Sequence, residues 1–180
     1  MKSEWIKLGS REIYQNRILC LREDTYHFIP NDLKKNFTVF EFSDWVNVIP
    51  LTADGDIVMI KQFRHGTDSV TLEIPGGLIE KNDSDPLIAA LREMQEETGY
   101  FSDEMIHIGT VEPNPAIQTN RCHTFLARNA YLKSQQNFDP TESIELVLIK
   151  AEKVLEMIKA GGITHGLVVA AFAFYMLRQG

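Results

Sequence analysis

The chain has 180 residues, of which 44% are hydrophobic, so it can bury one sizeable core and is most simply one domain with an elaboration. Its formal net charge of −7 argues against a general nucleic-acid or membrane-surface binder, because both of those partners are anionic. The two cysteines, Cys20 and Cys122, lie far apart and form no CxxC motif, which predicts reduced thiols and a cytoplasmic protein.

The first half of the chain predicts strands, separated by turn residues at 30–32 and 53–55. The predicted strands cover residues 18–29, 36–42, 45–51, 57–63 and 70–74. Residues 1–42 form a strand-rich element too small to cover its own apolar face, and a partner is the simplest cover. We therefore expect a homodimer held partly by this element.

The second half of the chain mixes helices and strands. The predicted helices cover residues 86–98, 151–160 and 164–178, and the predicted strands cover 105–111, 123–129 and 144–149. The last helix is strongly apolar but shorter than the roughly 20 residues that a membrane span needs. We expect a buried helix there, with Thr164 as its N-cap. Strands first, a helix in the middle and helices at the end predict an α+β sandwich with mixed sheets.

The helix over residues 86–98 has well-marked ends. Asp85 is a good N-cap, Pro86 suits the first turn, and Gly99 is a natural C-terminal stop. Apolar residues at the spacing of one helical face predict a buried stripe of Leu87, Ala90, Leu91 and Met94. Three glutamates, Glu93, Glu96 and Glu97, therefore fall together on a different face, outside the core.

These glutamates predict a metal-assisted phosphoester site. An acidic surface face is the ordinary explanation of such a cluster taken alone. Here, however, Arg92 can reach Glu96 across one turn, and the run Pro75-Gly76-Gly77 ahead of the helix lets backbone approach a ligand closely. Clustered hard oxygen donors favour Mg²⁺ or Mn²⁺, which accept substrate phosphates as further ligands.

Residues 77–100 resemble the signature of the Nudix hydrolases, G-x5-E-x7-R-E-U-x-E-E-x-G-U, in which U is an apolar residue. Its second half is matched by Arg92, Glu93, Met94, Glu96, Glu97 and Gly99, with Tyr100 as a looser final position. The first half departs: counted from Gly77 the acidic position is Asp83, whereas counted back from Arg92 it is Ser84. In the family this glutamate orients the arginine and supports the loop, so we expect Asp83 to do so here.

Shorter runs are similar to one branch of the family, the ADP-ribose and nucleoside-diphosphate-sugar pyrophosphatases. These are LEIPGG at 72–77, KQFRHG at 61–66, Pro115, and DPTESIELVLI at 139–149. The resemblance implies a Nudix-type α/β/α sandwich over residues 43–180, and a β-element at 1–42 that commonly crosses to a partner subunit. It also implies hydrolysis of a diphosphate bond to a nucleoside monophosphate and a sugar phosphate.

The resemblance further assigns the residues of the site. Glu93, Glu96, Glu97 and the Gly76 carbonyl are expected to hold the metal, with Arg92 as a catalytic residue beside them. Arg64 is expected to contact a phosphate, because a planar guanidinium pairs bidentately with phosphate oxygens. The other expected substrate contacts are Glu73, Pro115, Glu145 and the loop at 112–121. His123 and His165 have no ligand-like spacing and are expected to be structural.

A general base is expected outside the signature, because a carboxylate committed to a cation is a poor base. Glu142, after the Asp139-Pro140 turn, is the first choice. Glu145 lies inside the predicted strand and is the second, and Glu93 is the next candidate.

Three functions remain open at this point. The first is a pyrophosphatase acting on ADP-ribose or a nucleotide sugar. The second is a Nudix enzyme acting on another diphosphate, such as a dinucleoside polyphosphate or coenzyme A. The third is a catalytically silent domain that senses a nucleotide, which the intact Glu93, Glu96 and Glu97 disfavour.

Overall fold

The computed structural model describes residues 4–137 and 143–178. Its strands are β1 (Trp5–Gln15), β2 (Leu19–Phe28), β3 (Leu33–Phe42), β4 (Trp45–Pro50), β5 (Asp56–Arg64), β6 (Ser69–Glu73), β7 (Gly76–Leu78), β8 (Tyr100–Phe101), β9 (Glu104–Val111), β10 (Cys122–Arg128), β11 (Tyr131–Leu132) and β12 (Ile144–Lys150). Its helices are α1 (Pro86–Thr98), α2 (Ala151–Lys159) and α3 (Gly166–Leu177). The chain forms two compact units, Met1–Ser43 with Glu112–Arg121, and Asp44–Val111 with Cys122–Gly180.

The first unit is built on an antiparallel sheet in the order β1-β2-β3. The segment at 112–121 belongs to this unit, because the Phe40 amide donates to the Ile117 carbonyl at 2.8 Å and the Thr119 amide donates to the Phe40 carbonyl at 3.2 Å. The strands expected at 18–29 and 36–42 are confirmed as β2 and β3. Strand β1 was not predicted, and every residue in it is exposed.

The second unit contains a mixed sheet in the order β7-β4-β10-β9, in which β4 and β10 run parallel. A second sheet, β12-β5-β6, is antiparallel, and β8 pairs with β11. Alternate residues of β4 enter different cores: Val46 and Val48 pack with α1, whereas Ile49 packs with Val154 of α2 and Phe172 of α3. Apolar cores on both faces of the sheet give an α+β sandwich, so the predicted class is confirmed.

The C-terminal helix differs from the expectation in its start and its burial. Thr164 is not its N-cap: α3 begins at Gly166, and His165 occupies the N-cap position without a side-chain capping bond. Val168, Ala171, Phe172 and Tyr175 of α3 are buried, but Met176 and Leu177 are exposed. Within residues 4–137 and 143–178, no helix is both long enough and apolar enough to cross a membrane.

Candidate active site

Helix α1 has the predicted ends, and they fix the positions of its polar residues. The Asp85 side chain accepts hydrogen bonds from the Leu87 and Ile88 amides at 2.8 and 3.1 Å, which satisfies donors that the first turn leaves free. Gly99 ends the helix at φ 73°, a conformation that glycine adopts without strain. The predicted stripe of Leu87, Ala90, Leu91 and Met94 packs into the core cluster that includes Val46 and Val48.

The three signature glutamates do not share one environment. The Glu93 and Glu96 side chains are partly exposed, whereas Glu97 is buried and accepts a hydrogen bond from the Gly76 amide at 2.8 Å. The expectation that all three lie on a face outside the core is therefore wrong for Glu97. The reason is the start of β7, which lies against α1 and brings a backbone donor to that carboxylate.

Arg92 links the acidic residues of the site. Its Nη1 donates to Glu93 Oε1 at 2.8 Å and to Glu96 Oε2 at 3.1 Å. Its Nη2 donates to the Leu78 carbonyl at 3.0 Å, so the same side chain ties α1 to β7. Hydrogen bonding to Asp83 raises the pKa of Arg92 against the opposing effect of burial, so the guanidinium stays charged.

Asp83 pairs with Arg92 as predicted. Its two carboxylate oxygens accept from Arg92 Nε at 3.3 Å and Nη2 at 2.9 Å, and Oδ2 also accepts from the Glu80 amide at 2.8 Å. The hydrogen bonds from Arg92 outweigh burial and hold the pKa of Asp83 below its ordinary value. Asp83 thus orients the arginine and closes the loop before α1, although it lies one residue earlier than the signature's glutamate.

The absence of a side chain at Gly77 leaves space for the Glu93 carboxylate. A Cβ at Gly77 would lie 2.5 Å from Glu93 Oε1 and 2.7 Å from Oε2, so only glycine leaves that carboxylate where it is. Within the described ranges, no three Asp, Glu, His or Cys side chains converge as metal ligands. Arg92 instead holds Glu93 and Glu96, and Gly76 holds Glu97.

A polar cleft of about 370 Å³ lies on the side of α1 that carries Arg92 and Glu96. Its lining consists of Arg92, Gln95, Glu96, Ser134, Gln135 and Asn137. The volume falls in the range of small-molecule sites, and the donors and acceptors suit a charged ligand. The cleft therefore shares two residues with the carboxylate cluster.

Arg64 forms an ion pair with Glu73. Its Nε and Nη2 each donate to Glu73 at 2.7 Å, in a bidentate pair. Glu73 is buried, but 40% of the Arg64 side chain is exposed. Burial opposes ionisation of Glu73, yet hydrogen bonds from Arg64 and Thr71 hold its pKa below the ordinary value. Glu73 therefore orients Arg64 through this pair, and its own carboxylate is not accessible to solvent.

The remaining candidates lie elsewhere. Glu145, on β12, is exposed and pairs with Lys61 Nζ at 2.7 Å. Pro115 belongs to the first unit, within Glu112–Arg121. Glu142 lies outside the described residues, so its role stays a prediction, as do those of Glu145 and Pro115.

Two contacts near the site were not predicted from the sequence. His165, expected to be structural, has its Nε2 3.6 Å from Glu73 Oε2. Asn47 of β4 is buried, and its Nδ2 donates to the Leu167 carbonyl at 3.4 Å. No local pattern could have indicated either contact, because each joins residues that are distant in sequence.

The chain is similar in sequence to known proteins. The NUDIX domain family model matches residues 43–171, and the chain belongs to that family. An ADP-ribose pyrophosphatase from Bacillus subtilis (strain 168) is 25% identical over 173 residues, which cover 96% of this chain and 92% of that protein. A methanol dehydrogenase activator from Bacillus methanolicus is 28% identical with the same coverage.

A solved structure supports the fold independently. The crystal structure of an ADP compounds hydrolase has a TM-score of 0.82 to this chain, covers 98% of it and 94% of its own length, and is 18% identical in sequence. At that identity the likeness establishes the fold alone.

Proposed function

We propose that this protein hydrolyses the diphosphate bond of ADP-ribose or of a nucleoside-diphosphate sugar, giving a nucleoside monophosphate and a sugar phosphate. The observation that carries the proposal is the arrangement around Arg92, which holds Glu93 and Glu96 beside the β7 start where Gly76 binds Glu97. The sequence resemblance to the ADP-ribose pyrophosphatase from Bacillus subtilis supports the choice of substrate.

The residues of this site fit a divalent cation, Mg²⁺ or Mn²⁺. Glu93, Glu96, Glu97 and the Gly76 carbonyl would hold it, since they are hard oxygen donors on α1 and at the start of β7. On binding, the carboxylates would exchange their present partners, Arg92 and the Gly76 amide, for the cation. When bound, the cation stabilises the negative charge that develops on the phosphoryl oxygens. Gly77 contributes by leaving the Glu93 carboxylate unobstructed.

The chain's own residues then bind and orient the substrate. The exposed part of Arg64 contacts a phosphate oxygen while Glu73 fixes the plane of the guanidinium. Arg92 keeps the signature carboxylates in register. A water molecule attacks one phosphorus atom, the P–O bond to the bridging oxygen breaks, and that oxygen leaves with the other phosphate.

Glu142 is proposed as the general base that takes the proton from the attacking water. Loss of such a base costs about 10²–10⁴ in rate, so Glu142→Gln is expected to lower kcat by about that factor without weakening cation binding. Glu145→Gln is the matched comparison and should do less, since the Glu145 side chain is engaged with Lys61. A wild-type kcat and pH–rate profile in Glu142→Gln would move the assignment to Glu93.

A substrate panel tests the proposed activity. Purified protein with Mg²⁺ or Mn²⁺ is given ADP-ribose, nucleotide sugars, nucleoside triphosphates, dinucleoside polyphosphates and coenzyme A, and the products are separated by chromatography. We expect the highest kcat/KM for ADP-ribose or a nucleotide sugar. Faster cleavage of a triphosphate, a dinucleoside polyphosphate or coenzyme A would contradict the substrate class, and no cleavage of any compound would support a silent sensing domain.

We also propose a cytoplasmic homodimer. Strand β1 is at the edge of its sheet, all of its residues are exposed, and large apolar side chains project from it: Trp5, Ile6, Leu8, Ile13 and Tyr14. An exposed apolar edge strand of this length invites pairing with another chain. The two cysteines are free thiols, which suits a reducing compartment.

A further inference from the structure

A buried carboxylate at the end of β6 is contacted from three directions. Glu73 Oε1 accepts from Arg64 Nε and from the Thr71 hydroxyl, and Oε2 accepts from Arg64 Nη2. His165 Nε2 approaches the same Oε2 at 3.6 Å. All four residues lie in the second unit. The Glu73 carboxylate thus has both a guanidinium and an imidazole beside it, and the two share Oε2.

The imidazole is not needed to neutralise Glu73, because the bidentate Arg64 pair already does so. The imidazole does not cap the helix either. His165 occupies the N-cap position of α3, but its side chain makes no capping hydrogen bond. Within the described part of the chain its Nδ1 is buried without a hydrogen-bond partner. Among the residues that the structure describes, the polar contact of this side chain is the one with Glu73.

Glu73 is also close in sequence to the carboxylate site. Pro75, two residues on, accepts a hydrogen bond from the Val48 amide at 2.9 Å, and the next residue is Gly76, whose amide binds Glu97. The start of α3 is tied to the same region, because Asn47 pairs with Gly76 in the β4–β7 register and donates to the Leu167 carbonyl. The first turn of α3 is therefore fixed against β4, which holds His165 at its distance from Glu73.

We propose that His165 is a positioning residue for the substrate diphosphate: it holds the Glu73 carboxylate at the angle that aims the exposed part of Arg64 at a phosphate oxygen. The proposal rests on the proposed function, in which Arg64 contacts phosphate. Because His165 acts through Arg64, it affects substrate affinity and leaves the chemical step to the carboxylates of α1. Its contribution disappears when Arg64 is absent.

Two amide substitutions provide a matched pair for the test. The amide nitrogen of glutamine can reach the position of the imidazole Nε2, whereas that of asparagine reaches only the position of Nδ1. His165→Asn should raise the KM for ADP-ribose about 3–10-fold with kcat within about twofold, because the 3.6 Å contact between His165 Nε2 and the Glu73 carboxylate is lost. His165→Gln should restore KM to within about twofold of wild type.

A double-mutant cycle with Arg64→Ala separates positioning from general destabilisation. Arg64→Ala alone should raise KM, and adding His165→Asn should raise it no further. The same comparison is made by calorimetric titration of ADP-ribose in EDTA, which reports affinity without cation or turnover. Thermal unfolding of each variant shows that it is folded, and if His165→Asn does not fold, His165→Ala replaces it in the cycle.

The KM values of the His165 variants, alone and with Arg64→Ala, decide the proposal. A KM rise in His165→Asn that is rescued by glutamine and absent on the Arg64→Ala background supports the proposal. Equal KM values in all His165 variants, or an unchanged rise on the Arg64→Ala background, overturn it while the proposed activity stands. If the wild type neither binds nor hydrolyses any diphosphate compound, the proposed function fails, and this inference fails with it.

Discussion

At the scale of single residues, the proposed catalytic arrangement depends on the space beside Glu93. Gly77 lies so close to this side chain that a Cβ would be 2.5 Å from Oε1. The clashing atoms are at the end of a flexible side chain, so the fold can accommodate the change by moving the carboxylate. If Glu93 holds the cation as proposed, the activity cannot accommodate it, because displacement of a catalytic group by about 1 Å can cost about 10² in rate.

Gly77→Ala is therefore expected to lower kcat by about 10²-fold while leaving the free energy of unfolding within about 1 kcal/mol of wild type. Urea denaturation and steady-state kinetics measure the two quantities. Gly66→Ala is the control, since a Cβ there meets nothing within 4 Å. Wild-type kcat in Gly77→Ala would show that Glu93 does not need its observed position.

At the scale of elements, the loop between β7 and α1 is tied to the helix by the ion pair of Asp83 with Arg92. Asp83 has a lowered pKa in the folded protein because Arg92 donates to both of its oxygens. Folding therefore favours the ionised carboxylate. The resulting stabilisation is fully present above the unfolded pKa, near the ordinary value of 3.8, and is lost as pH falls through the lower folded value.

Asp83→Asn is expected to cost about 1–3 kcal/mol of unfolding free energy at pH 6 to 7, and the difference from wild type should shrink below about pH 4. Urea denaturation at a series of pH values measures it. Glu145→Gln serves as the control, since it removes an exposed pair that is worth at most about 1 kcal/mol. A difference that stays constant down to pH 2 would mean that the Asp83 charge is not responsible.

The elements differ in how far the sequence could predict them. Helix α1 was predicted residue for residue, because Asp85, Pro86 and Gly99 act locally and the apolar stripe is regular. Strand β1 was missed because it buries no face, and irregularities between Lys7 and Gly9 and between Glu12 and Tyr14 break its alternation.

The contacts of the site also differ in how far the sequence could predict them. The Arg92–Glu96 contact and the pairing of Asp83 with Arg92 follow from spacing and from the signature. The burial of Glu97 depends on where β7 is placed, and the approach of His165 to Glu73 depends on the packing of α3. Both depend on tertiary contacts, which local sequence patterns do not encode.

At the scale of the whole molecule, the first unit is expected to join two chains. Light scattering at micromolar concentration should give about twice the 20.5 kDa chain mass. Ile13→Lys on β1 should shift the protein toward the monomer, because a charge would be buried without a partner in the interface. Leu148→Lys on β12, at 48% exposure against 50% for Ile13, is the matched control and should leave the mass unchanged. A monomeric wild type would refute the dimer.

The carboxylates of α1 are proposed to carry out a cation-dependent hydrolysis. The most direct measurement is the rate of ADP-ribose cleavage with Mg²⁺ or Mn²⁺ in Glu93→Gln and Glu97→Gln, beside Glu104→Gln, which alters exposed contacts with Arg128 and Asn129. We expect the two signature variants to keep a wild-type circular dichroism spectrum and to lose at least about 10²-fold in kcat, as removal of one transition-state contact does, whereas Glu104→Gln stays active. Near-normal turnover in both signature variants would contradict the account.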